Sequence, residues 1–397
     1  MSNRLLIVFV RQMLYNISML LGFKTKLKLN NKQRSELVKH CGVARHAWNW
    51  GLGLTRQILE YNKLNPESKI KFPSAIDLHK WLVALVKPEN PWYFESSKCA
   101  PQYALRNLRT AWDRCFKKVS GVPKFKKKGR NDSFELDGKI HIRGSRKIQL
   151  PRLGVLRTYE NLPQVQPKSV VISRTADRWY ISFKIDVEPT STHKISDVVG
   201  VDLGVKSLAT LSTGEVFEGA KSYRRLENKL SRMQWLNRHK QLGSANWKKF
   251  QVKVARLHKQ VADIRKDTLH KLTTYLAKNH SVIVIEDLNV SGMMANHKLA
   301  KVVQDMGFYE FRRQLEYKTK LYESELVVVD RWFPSSKTCS KCGTKKDVLA
   351  LSERVFKCDR CNLEIDRDLN AAINLKNAAS HVVSACGLDS ADVTRVK

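Results

Sequence analysis

Four cysteines constrain this chain more than any other feature. Cys339 and Cys342, then Cys358 and Cys361, form two Cys-x2-Cys pairs with 15 residues between the inner cysteines. Each pair sets two thiolates on one side of a tight turn, and two such turns close a tetrahedral shell around zinc. Four thiolates leave no open coordination position, so a zinc held there is structural and not catalytic. Residues 336–362 therefore read as a zinc ribbon. The remaining cysteines, Cys41, Cys99, Cys115 and Cys386, are scattered along the chain, which argues against a disulfide framework and for a reducing compartment.

Charge narrows the partners. Lys and Arg number 72 against 37 acids, a formal net charge of +35. A protein with that excess repels itself unless it sits on a polyanion, and nucleic acid rewards such charge through counterion release. No stretch is long and apolar enough to cross a bilayer. The opening MSNRLLIVFVRQMLYNISMLLGF is interrupted by Arg4 and Arg11 and lacks a small-residue cleavage site. We read residues 1–18 as an extension that is not native, with Met19 as the alternative start. The expected setting is cytoplasmic, beside the nucleoid of a prokaryote, and a monomer is favoured.

Periodicity divides the chain. Leu37, Val43, Ala47, Trp50 and Leu54 predict a helix over 33–62, and Leu105, Leu108, Trp112 and Phe116 another over 98–119. The segment 121–134 interleaves Lys124, Lys126, Lys127, Lys128 and Arg130 with Phe125 and Phe134, a composition suited to a nucleic-acid backbone. From 138 to 190 short alternating runs predict strands. After PTSTHK, at 189–194, the pattern becomes VVGVDLGV (198–205), a hairpin, and a long helical region over 221–279 that breaks near GSAN. That region holds 15 Lys or Arg against 3 acids between 221 and 271; Arg224, Arg225, Lys248 and Lys249 are its candidate backbone contacts. Strands at 281–290 and 325–333 flank a helix at 308–323, and DRDLNAAINLKNAA (366–379) reads as a last helix. The order predicts an α/β layer fold.

Three acids stand in apolar surroundings: Asp202 in VVGVDLGV, Glu286 in VIVIEDLNV and Asp368 in DRDLNAAIN. A buried strand carries an ionised carboxylate only when a cation compensates it. Three converging carboxylates would hold two Mg²⁺, the arrangement that clamps attacking and leaving oxygens in phosphodiester hydrolysis. Alternation allows only one of Glu286 and Asp287 to join such a site. On the last helix Asp366 suits the N-cap, leaving Asp368 to face inward. Asp330 is a further, lower-ranked candidate.

These motifs resemble the TnpB family, transposon-encoded proteins similar to type V CRISPR effector nucleases. GVDLGVK, IEDLNV and DRDLNAAINL resemble the split pieces of an RNase H-like, RuvC-type nuclease domain, with SSKTCSKCG…FKCDRC placed before the last piece. CGVARHAWNWGL, YALRNL after Gln102 and GVPKFKKKGRNDSF match the family's N-terminal half, so the resemblance covers most of 19–379. It implies that Asp202, Glu286 and Asp368 are the metal-binding catalytic acids. The first acid of the last motif varies among related proteins, in keeping with Asp368 over Asp366.

The domains it implies are a β-barrel-like, wedge-type domain (19–32 and 120–192) and an inserted helical recognition domain (33–119). A split nuclease domain (193–335 and 363–380) with its ribbon and a disordered tail (381–397) would follow. It further implies a guide RNA, a double-stranded DNA target and recognition of a short adjacent DNA motif. The activity expected is RNA-guided DNA cleavage; the alternative is RNA-guided DNA binding without cutting.

Overall fold

The computed structural model describes residues 18–350 and 352–385, with side chains described up to 379. The expectations for the 1–18 extension and for the tail beyond 385 fall on residues outside that range, apart from Ser18. The chain divides into one compact unit over Leu20–Val187 and a second that takes in Glu188 onward.

The first unit opens with β1 (Met19–Lys28), followed by α1 (Asn31–Leu64). Asn30 starts that helix as a capping box: its side chain accepts from the Gln33 amide while the Gln33 side chain accepts from the Asn30 amide. A short helix α2 (Ala75–Trp81) and α3 (Cys99–Phe116) follow. Gly51 lets α1 and α3 pack tightly, since a Cβ there would meet Leu105 Cδ2 at 2.8 Å. Leu37, Ala47, Leu52, Leu105 and Leu108 are fully buried at this crossing.

Six more strands complete the unit: β2 (Ser133–Asp137), β3 (His141–Ile142), β4 (Lys147–Leu150), β5 (Gly154–Thr158), β6 (Ser169–Thr175) and β7 (Arg178–Val187). The seven strands run in the order β2-β6-β7-β1-β5-β4-β3. Strand β1 therefore sits centrally, joining hairpins from both ends of the later sequence. The edges β2 and β3 are not paired to each other, so the sheet is open where a closed, barrel-like one was expected.

The second unit is built on a five-stranded sheet ordered β10-β9-β8-β11-β12. Strand β8 (Ser196–Asp202) turns back through β9 (Ala209–Leu211) and β10 (Val216–Phe217). The long helices α4 (Ser222–Arg238) and α5 (Ala245–Asn279) follow, with Gly243 (φ +81°) at the break between them. Next come β11 (His280–Glu286), α6 (Val290–Ala295), α7 (His297–Met306), α8 (Phe308–Leu321) and β12 (Glu325–Val329). The cysteine segment contributes the hairpin β13 (Val355–Lys357) and β14 (Glu364–Asp366), and α9 (Arg367–Ala385) ends the fold.

Strands β8, β11 and β12 are parallel and covered on both faces, which is why they read as continuous apolar runs. Alternation sorts their side chains. Val199, Val201, Ile283 and Ile285 pack with Leu269, Leu272 and Leu276 of α5 and Phe308, Phe311 and Leu315 of α8. Val198, Val282 and Val284 pack on the other face with Leu375 and Ala379 of α9. The short helices α2, α6 and α7 were not anticipated. Among the described residues no helix is long and apolar enough to cross a membrane.

Candidate active site

Asp202 ends β8 and Glu286 ends β11. Register pairs Val284 with Gly200 and Ile285 with Val201, so Asp202 and Glu286 stand one step beyond the last pair, side by side. Both continue the even-numbered face that α9 covers. Asp368 lies in the first turn of α9, and the α9 backbone runs against Gly200, two residues before Asp202. Strand ends and helix start thus meet at one edge of the sheet.

The electrostatics follow from that gathering. The Asp202 carboxyl is pushed up to about 7, first by burial and then by the charges of Asp368 and Glu286; Arg367 opposes the shift and Asp366 adds to it. Glu286 is also raised, by burial and by Asp287. Asp287 belongs to the other face. It binds Arg312 at 2.5 Å and Arg331, and these hydrogen bonds hold its carboxyl below the usual range. Asp366 accepts the Asp368 and Leu369 amides at 2.9 and 3.1 Å, the expected N-cap. Asp330 is exposed in the turn after β12, where it accepts the Trp332 amide at 2.8 Å.

Arg367 was not singled out from the sequence. Its Nε stands 3.7 Å from Asp368 Oδ1, and its signal is visible afterwards as a base between two acids in DRD. A carboxyl raised by burial and by two neighbouring carboxylates, as Asp202 is, marks a site that a hard divalent cation would stabilise.

The four cysteines are brought together more tightly. Their Sγ atoms all lie within 4.8 Å of one another, the closest such gathering among the described residues; the three carboxylates are not drawn in to that degree. Cys339 and Cys361 are 3.5 Å apart, as are Cys342 and Cys358, close to the roughly 3.8 Å between sulfurs on one tetrahedral zinc with ~2.3 Å bonds.

The two turns are built alike. The Gly343 amide donates to Cys339 O at 2.9 Å and the Asn362 amide to Cys358 O at 3.0 Å. Gly343 (φ +75°) and Asn362 (φ +55°) both adopt the left-handed conformation that Gly and Asn tolerate best. Phe356 is fully buried beneath the thiols.

Two asparagines tie this segment to α9. Asn370 accepts the Ser340 amide at 3.0 Å and donates to Thr338 O at 2.7 Å. Asn374, one turn on, donates to Ser335 O at 2.7 Å and Thr338 O at 2.6 Å. Neither was predicted to matter; a polar residue on a helix reveals its partner only in three dimensions.

The basic segment of the first unit lies along α1. Trp48 Nε1 donates to Lys124 O at 3.1 Å, the Asn49 side chain bonds both the amide and the carbonyl of Lys126, and Arg56 donates to Pro123 O at 2.8 Å. Lys124, Lys127, Lys128 and Arg130 are exposed. Lys126 differs: its Nζ sits 4.1 Å from the Trp48 ring centroid, and burial lowers its pKa. It packs where the sequence reading offered it to a partner. In the second unit Arg224, Arg225, Lys248 and Lys249 are exposed on the α4–α5 hairpin.

Comparison with known proteins adds an independent view. Residues 182–297 match a family profile described as "Probable transposase", of the OrfB, IS605 type. Residues 308–375 match a "Cas12f1-like, TNB domain" and residues 19–63 a "Helix-turn-helix domain"; here the latter stretch is β1 and most of α1. The chain is 35% identical over 386 residues to the Escherichia coli (strain K12) protein named "Putative RNA-guided DNA endonuclease InsQ", covering 92% of this chain and 94% of that one. A Streptomyces pristinaespiralis protein of like designation is 37% identical over 373 residues, covering 92% and 90%. Among solved structures, a Cas12f1–sgRNA–target DNA complex superimposes with a TM-score of 0.59 at 14% identity, over 91% of this chain and 99% of that one.

Proposed function

The chain belongs to the TnpB family of transposon-encoded proteins, and on that premise we propose that it is an RNA-guided, metal-dependent DNA endonuclease. The observation that carries this reading is the common face of Asp202 and Glu286 toward the helix whose first turn holds Asp368, with Asp202 raised by burial and then by its two neighbours. In the proposed RNase H-like (RuvC) domain, 193–335 and 363–380, these three acids hold two Mg²⁺. Mg²⁺ held by these acids would supply Lewis acidity for activating a water and stabilising the leaving oxygen. The acids orient the ions, and Arg367 offsets the carboxylate charge.

Cys339, Cys342, Cys358 and Cys361 hold a structural zinc in the ribbon over 336–362. Through Asn370 and Asn374 that ribbon steadies the start of α9, and with it Asp368. The β-rich domain (19–32 and 120–192) and the inserted helices (33–119) receive the guide RNA and target duplex. Lys124, Lys127, Lys128, Arg130, Arg224, Arg225, Lys248 and Lys249 contact phosphates. Base pairing supplies sequence specificity while the protein reads backbone and a short adjacent motif.

The test is to purify the protein with its copurifying RNA, sequence that RNA, and offer a matching duplex with Mg²⁺. We expect cleavage by the wild type, and none by Asp202→Ala with the RNA still bound. Cleavage by Asp202→Ala at the wild-type rate would refute the site assignment.

A further inference from the structure

A groove of about 570 Å³ runs beside Glu286 on the α8 side of the strand ends. Tyr309, Arg312 and Arg313 of α8 line one wall, and Arg331, in the turn after β12, lines the other. Every arginine is already committed. Arg312 bonds Asp287 and Glu316, Arg331 bonds Asp287, and Arg313 bonds Glu310 through both Nε and Nη2. Charge alone gives this groove little grip on a backbone.

Its aromatic rings are differently placed. Trp332, next after Arg331, is 84% exposed and Tyr309 is 70% exposed. Neither ring stacks on another ring or carries a cation among the described residues. Nor is either loosely held. Asp330 accepts the Trp332 amide at 2.8 Å through its side chain and the Phe333 amide at 3.0 Å through its carbonyl. Arg331 is anchored on Asp287, and Phe333 packs into the core beneath α9. Tyr309 follows the buried Phe308 on a helix whose Phe311 is also buried. Tyr309 thus lines the groove and Trp332 follows the Arg331 that lines it, both largely exposed and without a ring stacked on them among the described residues.

We propose that Tyr309 and Trp332 are base-stacking platforms that position an unpaired nucleic-acid strand along the groove next to Glu286. Bases in a duplex already stack on their neighbours and offer no face, whereas each base of an unpaired strand gains about 1–3 kcal/mol on an aromatic ring. These are positioning residues: they set which phosphodiester reaches the carboxylates. The proposal rests on the nuclease reading of that edge, and its test is separable from it.

Single-stranded DNA carrying 5-iodouracil is irradiated with the full-length protein, without divalent metal and at salt high enough to weaken backbone binding. The adducts are then mapped by peptide mass spectrometry. We expect adducts on Tyr309 and Trp332. Trp332→Ala should lower the Tyr309 adduct several-fold, Trp332→Phe should restore it, and neither should shift the melting temperature, since the ring is exposed. Adducts confined to other peptides, or equal yields from the same sequence as a duplex, would overturn the proposal. Failure of the wild type to cleave with Mg²⁺ would instead count against the nuclease reading and leave the adduct map intact.

Discussion

Gly200 of β8 and Ala372 of α9 touch backbone to backbone: a Cβ on Gly200 would stand 2.0 Å from the Ala372 carbonyl oxygen and 2.6 Å from the Lys376 amide nitrogen. Ala372 lies one turn beyond Asp368, and Gly200 two residues before Asp202. The same contact that seats the helix therefore sets the separation of two of the proposed catalytic acids.

Gly200→Ala should consequently push α9 off the sheet. Overpacking of this kind typically costs about 1–3 kcal/mol, and a rigid backbone neighbour leaves little room to relax. We expect a lower melting temperature together with loss of cleavage. An unchanged melt and unchanged activity would show that α9 does not depend on this approach.

The pH dependence has a definite sign. Asp202 moves from an ordinary 3.8 to about 7 in the folded chain, so between those values the folded state holds a proton that the unfolded state has released. In metal-free protein the contribution of Asp202 to stability is then full below that window and is lost as pH rises through it. Mg²⁺ replaces the proton, so its binding should release protons below pH 7, tighten as pH rises toward that value and level off above it. Calorimetric titration in buffers of different ionisation enthalpy would reveal that release; its absence at acidic pH would contradict the account.

Removing zinc should reach the acids through α9. Cys339→Ser with Cys342→Ser opens the metal shell, and Asn370 and Asn374 then lose ordered partners at Ser335, Thr338 and Ser340. Structural zinc supplies much of the folding energy of small metal modules. Cleavage should fall sharply and limited proteolysis should begin within 336–362. Full activity in the double variant would separate the ribbon from the site.

Asp305 offers a test away from both centres. Buried at 6% exposure, it accepts the Ser222 hydroxyl at 2.7 Å and the Tyr223 amide at 3.0 Å at the start of α4, with Arg265 at 3.4 Å. Asp305→Ala would orphan those donors, at about 1–3 kcal/mol, and loosen the α4–α5 hairpin. Hydrogen exchange in the first turn of α4 should quicken while exchange in β11 stays slow.

Much of the site was legible because its residues break local rules. A lone acid in VVGVDLGV has no place in a doubly covered strand without a compensating cation, and two Cys-x2-Cys pairs have few uses besides metal. The N-cap at Asp366 followed from local chemistry in the same way. Alternation said only that Glu286 and Asp287 diverge, and the family resemblance chose Glu286; the register with β8 and the position of α9 put Glu286 on the face of Asp202 while Asp287 binds Arg312. The partial burial of Lys126 was not legible, because a charge run looks uniformly solvated until a ring such as Trp48 is seen beneath one member.

Sequence by itself determined the period of each long element, the two covered faces of the parallel strands, the thiol quartet and the excess positive charge. All of these are properties of residue type and spacing over a few turns. Tertiary structure decided that the first sheet stays open, that Gly200 admits α9, and that Asn370 and Asn374 lock the cysteine segment to the helix carrying Asp368. Each of those depends on which distant residues meet, and packing between elements, not the pattern within one, chooses the pairs.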